Sequence, residues 1–181
     1  MKIGIDGNEA NIVEKVGVHQ YAFKVLWGIY NLEKDSKSRN SYVIYLKHPP
    51  REDLPKENEY WKYKVMPGKG LWVLTKLMPH LLIGPKPEVF FNPSHYLPPI
   101  MTIPSVCTIH DLGYLKFSGQ FKKYDYWQLK YWTAISLIVS NYIITFSKSN
   151  IRDIVRHYKF TSKKLDFVYH GYDRPSIIDH Y

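Results

Sequence analysis

Three short runs constrain this chain more than any other feature: "VFF" (89–91), "VCTI" (106–109) and "YIITF" (142–146). None of them alternates apolar with polar residues. A strand with one wet face alternates, whereas a strand buried on both faces reads as a continuous apolar run. The segment between the first two runs is loop, but a long stretch with helical character separates the second from the third, and others precede the first and follow the third. Doubly buried strands alternating with helices are the pattern of an α/β fold with a parallel, doubly wound, Rossmann-like sheet and helices on both faces.

The other elements can be placed around these runs. "MKIGID" opens as a first strand and stops at Gly7-Asn8. Residues 17–34 read as a helix, with Tyr21, Val25, Ile29 and Leu32 spaced to share one face. Strands are expected at 41–47, 62–66, 88–92, 105–110, 142–147 and 164–171. "GLWVLTKLMPHLL" (70–82) reads as helical at least up to Pro79. Helices are also expected over about 120–139 and in "SKSNIRDIVRHY", where Ser147 or Ser149 would cap the amino end. A length of 181 residues suits one domain with a sizeable core.

Cysteine and charge narrow the setting. The single cysteine, Cys107, lies inside an apolar run, so no disulfide framework or metal cluster is implied and a reducing, cytoplasmic setting fits. The opening "MKIGIDGNEAN" has no apolar core of a secretory signal. The longest apolar stretch, "AISLIVSNYIITF", is broken by Ser136, Ser140 and Asn141 and falls short of the ~20 residues a membrane span needs. The net charge of +9 favours anionic partners without choosing among nucleic acid, phosphorylated small molecules and acidic membranes. No nucleic-acid motif is present, and the basic residues are spread along the chain. Sixteen tyrosines suit either an aromatic-rich core or surfaces that are apolar yet still hydrogen-bond.

Ligands of open parallel sheets sit beyond the carboxyl ends of the strands. Those ends carry Gly7-Asn8-Glu9, Asn92-Pro93-Ser94-His95-Tyr96, His110-Asp111, Ser147-Lys148-Ser149 and His170-Gly171. Parallel, adjacent strands would gather them on one edge. Their chemistry is limited by what is missing. There is no D-x-D, no G-x-G-x-x-G after the first strand, no phosphate-binding P-loop and no G-x-S-x-G. A zinc site from His80, His95 and His110 lacks a paired short spacing. Gly17 opens the first long helix, where backbone N–H groups can approach an anion; an ordinary helix start is the alternative. "FKKYDYWQLKYW" and "GLWVLTKLMPHLL" suit either an acidic membrane surface or a core face with a solvated basic side.

Six segments, in order, resemble the amino-terminal half of a family 4 retaining glycosyltransferase of the GT-B fold. They are "MKIGIDGNEAN", "VGVHQYAFKVLWGIY", "FFNPSHYLPP", "CTIHDLGYLKF", "NYIITFSKSNIRDIVRHY" and "KLDFVYHGYD". The chain departs from the family pattern at His19, Gln20 and His170, where the family commonly has Gly, Arg and Asn. The resemblance implies sugar transfer from a nucleotide-sugar donor to a glycan or lipid-linked acceptor, with no cofactor and no obligatory metal. It implies His110 at the reacting sugar, with Asp111 beside it either orienting the imidazole or capping the following turn, and Gly17, His19 and Gln20 on the donor side. Asn92, His95, Tyr96, Ser147 and Lys148 fall on the acceptor side. Residues 1–172 would form the acceptor-side domain and 173–181 the start of an interdomain linker. The nucleotide-sugar domain, with its E-x7-E motif, would be missing, so this chain alone would be inactive. The expected location is cytoplasmic, with peripheral contact to an anionic membrane and no nucleic-acid partner. The alternative is an acceptor- or membrane-binding subunit that pairs with a separate donor-binding chain.

Overall fold

The computed structural model describes residues 1–36, 40–120 and 122–171. The expected linker, 173–181, lies outside the described residues. Strands are β1 (Lys2–Asp6), β2 (Ser41–Leu46), β3 (Trp61–Val65), β4 (Val89–Asn92), β5 (Ser105–Thr108), β6 (Tyr142–Thr145) and β7 (Leu165–Phe167). Helices are α1 (Val18–Lys34), α2 (Met78–Ile83), α3 (Gly113–Lys116), α4 (Lys123–Val139) and α5 (Lys148–His157). The strands form one sheet in the order β3-β2-β1-β4-β5-β6-β7. Every neighbouring pair is parallel. The fold is therefore α/β and Rossmann-like.

Strand alternation divides the core in two. On one face Ile5, Tyr42, Ile44 and Trp61 pack with Ala22 and Leu26 of α1. On the other, Tyr45, Phe90, Cys107 and Ile143 pack with Leu77, Leu81 of α2, Leu137 of α4 and Ile154 of α5. Helices thus lie on both faces, but unequally. Beside α1, the first face keeps an apolar groove of about 390 Å³, floored by Phe91, Val106 and Ile144. The sheet packs closely at Gly4, where a Cβ would stand 2.8 Å from Pro87 Cγ and 3.0 Å from the Tyr45 ring.

Two helices differ from the sequence reading. In α1 the buried residues are Ala22, Leu26 and Glu33, while Leu32 is 77 % exposed. Tyr21, Val25 and Ile29 form a neighbouring stripe along the groove. The helix carries two adjacent apolar stripes, and the small Ala22 admits the closer approach to the sheet. The segment over 70–82 does not stop at Pro79. A π-helical turn, Val73–Leu77, runs into α2, and Pro79 falls in the first turn of α2. A first-turn proline needs no N–H partner, and the wider turn ahead of it removes the clash of a regular helix.

Candidate active-site edge

Because all seven strands are parallel, their carboxyl ends share one edge. The chain leaves β1 toward β2 and β3, then returns to β4 on the other side of β1. That reversal makes a crevice between β1 and β4, the usual ligand position in open α/β sheets. Two cavities lie along this edge.

The first, about 630 Å³, lies between the amino end of α1 and the chain after β7. Gly17, Gln20, Tyr21 and Lys24 form one wall; Phe146, Val168, Tyr169, His170 and Gly171 form the other. Gly17 has φ +53° and ψ −115°, a backbone state that suits glycine. No side chain caps α1, and its first turn holds no acidic residue. The partial positive charge of the helix end is thus offered to the cavity.

His110 stands behind this wall in an aromatic cluster. Its ring meets Tyr21 edge-on at 5.1 Å and Phe146 at 4.9 Å. Phe146 in turn stacks on His170 at 3.6 Å. His110 Nε2 lies 3.1 Å from the Pro93 carbonyl oxygen, which can only accept, so Nε2 carries the proton. Burial pushes the His110 pKa below its ordinary value, partly offset by that hydrogen bond. The ring is therefore neutral near pH 7, with Nδ1 as its acceptor. The Asn150 amide donates to the His110 carbonyl at 2.7 Å and fixes the backbone. Tyr21 OH reaches Thr108 Oγ1 at 3.3 Å, tying α1 to β5.

The second cavity, about 250 Å³, opens at the β1/β4 crevice. It is lined by Asp6 at the end of β1, Asn8 and Glu9 after it, Lys47 after β2, Ser94 and Tyr96 after β4, and Gln128 and Trp132 from α4, with Trp72 closing one side. Asp6 is buried, and desolvation lifts its carboxyl from 3.8 to about 6 against the lowering effect of its bonds from Asn8. Tyr96 and Trp132 meet edge-on at 6.0 Å. Carboxylates, amides and ring faces around a small space suit a ligand rich in hydroxyls.

The expected site residues separate into groups. Gly17 and Gln20 line the first cavity and Tyr96 lines the second. His19 does not line the first cavity: its Nδ1 is 2.8 Å from Glu9 Oε2, without hydrogen-bond alignment. Asp111 is exposed and accepts the Gly113 N–H at 2.7 Å, so it caps the turn into α3. Asn92 is fully buried: it donates to Tyr96 O and Asp6 Oδ2 and accepts from Ser94. It shapes the loop after β4 and lines neither of the two cavities. His95 keeps an enclosed, unpartnered Nε2; burial, then the neighbouring His110, lowers its pKa to about 4. Ser147 is the N-cap of α5, accepting from Asn150 N at 3.1 Å, and the exposed Lys148 lies over the Phe167 ring.

Sequence reasoning did not single out Tyr21 and Phe146 as site residues, nor Asp6, Lys47, Trp72, Gln128 and Trp132. The strand-tip argument could have reached Asp6, which ends β1. Gln128 and Trp132 are four apart on α4 and so share a face, but nothing local tells which face meets the crevice. Among the described residues, no group of three or more His, Cys, Asp or Glu is placed to hold a metal ion. No helix there is long and apolar enough to cross a membrane. No protein-family model matches the chain, and no curated protein does. The fold and its edge define a class: a Rossmann-like α/β protein with two cavities on the carboxyl edge of its sheet.

Proposed function

We propose that this chain is the acceptor-side half of a retaining GT-B glycosyltransferase, moving a sugar from a nucleotide-sugar donor to a hydroxyl-bearing acceptor. The observation that carries the reading is the packing of His110, just after β5, against Tyr21 and Phe146, two of the rings that line the cavity at the uncapped, glycine-led amino end of α1. In the transfer, the bond from the sugar's anomeric carbon to the diphosphate breaks. The acceptor oxygen bonds that carbon on the same face, and its proton passes to the departing diphosphate. Negative charge grows on the diphosphate, where the α1 amino end and Lys24 would stabilise it. His110 Nδ1 would accept a hydrogen bond from a sugar hydroxyl, its Nε2–H being engaged by Pro93. The second cavity would seat one sugar ring of the acceptor, against Tyr96 and Trp132 and bonded by Asp6, Glu9 and Gln128. The nucleotide-binding half would close the first cavity, and the buried, lone Cys107 accords with a cytoplasmic setting.

The test is His110→Ala in the complete transferase, which should lower kcat by roughly 100-fold, the scale of a lost transition-state contact. Unchanged kinetics would remove His110 from the chemistry. Detectable transfer by the purified 181-residue chain would overturn the half-enzyme reading.

A further inference from the structure

We propose that the outward face of α4 docks this protein on an anionic lipid surface. α4 turns Thr133, Ser136 and Leu137 into the core and Gln128 and Trp132 toward the second cavity. Its remaining face should be charged, as on an ordinary surface helix. Instead Tyr124 is 74 %, Trp127 45 %, Tyr131 59 % and Ile138 64 % exposed. These positions are spaced three, four and seven apart, so they form one stripe about 21 Å long at 1.5 Å per residue. Trp127 and Tyr131 stack at 5.4 Å and 19°, which preorganises a flat aromatic ledge.

The rim of the stripe decides its partner. Lys122 and Lys123 are exposed at its amino end, and Lys130 Nζ lies 4.9 Å from the Trp127 ring. Asp125 is the one acidic residue in the whole helix. Trp and Tyr favour the level of lipid headgroups, where a ring can sit in the apolar boundary and its polar atom in water. Lysines beside them complement anionic headgroups, and the +9 chain charge acts in the same sense. The same helix borders the second cavity through Gln128 and Trp132. The docking stands independently of the sugar-transfer reading.

The experiment is sedimentation of the full chain with vesicles of equal parts phosphatidylglycerol and phosphatidylcholine, and with phosphatidylcholine alone. Expected is binding to the anionic vesicles, at least about tenfold weaker without phosphatidylglycerol or in roughly 0.5 M salt. Lys122→Gln, Lys123→Gln and Lys130→Gln together should weaken it about 100-fold, at about fivefold per lysine. Trp127→Ser with Tyr131→Ser should also weaken it at least about tenfold, with an unchanged circular dichroism melt to show that the fold is kept. Lipids brominated on their chains should quench fluorescence in the parent and lose that quenching in Trp127→Phe, a variant that keeps the stripe. Absence of binding, binding indifferent to these substitutions, or equal quenching in Trp127→Phe would overturn the proposal. So would a self-associated dimer in solution that Trp127→Ser with Tyr131→Ser abolishes while vesicles are not bound.

Discussion

Replacing Asp6 by Asn should stabilise the protein at alkaline pH and weaken it slightly in acid. Asp6 is buried at the end of β1, with a carboxyl raised from 3.8 to about 6. Between those values the folded chain holds a proton that the unfolded chain has released. Stability therefore falls as pH rises through this window, by about 1.4 kcal/mol for each pH unit between the two values. Over about two units the loss is roughly 3 kcal/mol. Asn cannot ionise, so it escapes that loss. It keeps an oxygen for Asn8, whose N and Nδ2 donate at 3.0 and 2.7 Å. Its nitrogen, however, meets the Asn92 amide that now donates to Asp6 Oδ2 at 3.3 Å. Losing that bond costs about 1 kcal/mol. The variant should be about 2 kcal/mol more stable near pH 8 and about 1 kcal/mol less stable near pH 4.

The parent curve alone would not reveal this. His95 has its pKa lowered to about 4, so its contribution is lost as pH falls below the ordinary value of 6.5. The two groups tilt stability in opposite senses across the same window. Subtracting parent from variant removes His95 and leaves Asp6. The assay is urea unfolding followed by tryptophan fluorescence from about pH 4 to about pH 8, with the difference in unfolding free energy plotted against pH. A flat difference, or one that falls as pH rises, would refute the reasoning.

Two further substitutions check other parts of the structure. Ser147→Ala removes the side-chain cap of α5 and should lower stability by about 1 kcal/mol, read from the urea midpoint; no change would deny the cap. Gly17→Ala should cost about 1–3 kcal/mol through backbone strain alone, because a Cβ there meets nothing within 4 Å while φ is +53°. A thermal melt at the parent temperature would contradict the left-handed backbone at Gly17.

The strand runs were legible because burial on both faces leaves no room for polar alternation. "VFF", "VCTI" and "YIITF" each became a central or near-central strand, and their polar tips do gather on one edge. Strand ends were less legible. Ile109 and His110 leave the β5 ladder, although Ile109 N still bonds Ile144 O at 2.8 Å. In α1 the period pointed to Tyr21, Val25 and Ile29, yet a helix with two apolar stripes gives periodicity no means of choosing between them. Pro79 read as a stop because a π turn has no simple sequence signature. His110 was legible as a strand tip; its tautomer was not, because the Pro93 carbonyl reaches it across 17 residues. The second cavity was the least legible part, since Asp6, Lys47, Tyr96 and Trp132 meet only after the sheet has formed.

Cys107 has a use beyond packing. It is the chain's only thiol, it lies in the middle of β5 with no exposed surface, and desolvation pushes its pKa up to about 12. A thiol held protonated and out of reach does not react with alkylating reagents while the sheet is closed. The rate at which one mass label appears on the intact chain therefore clocks the opening of the central strands, without any probe having to be introduced.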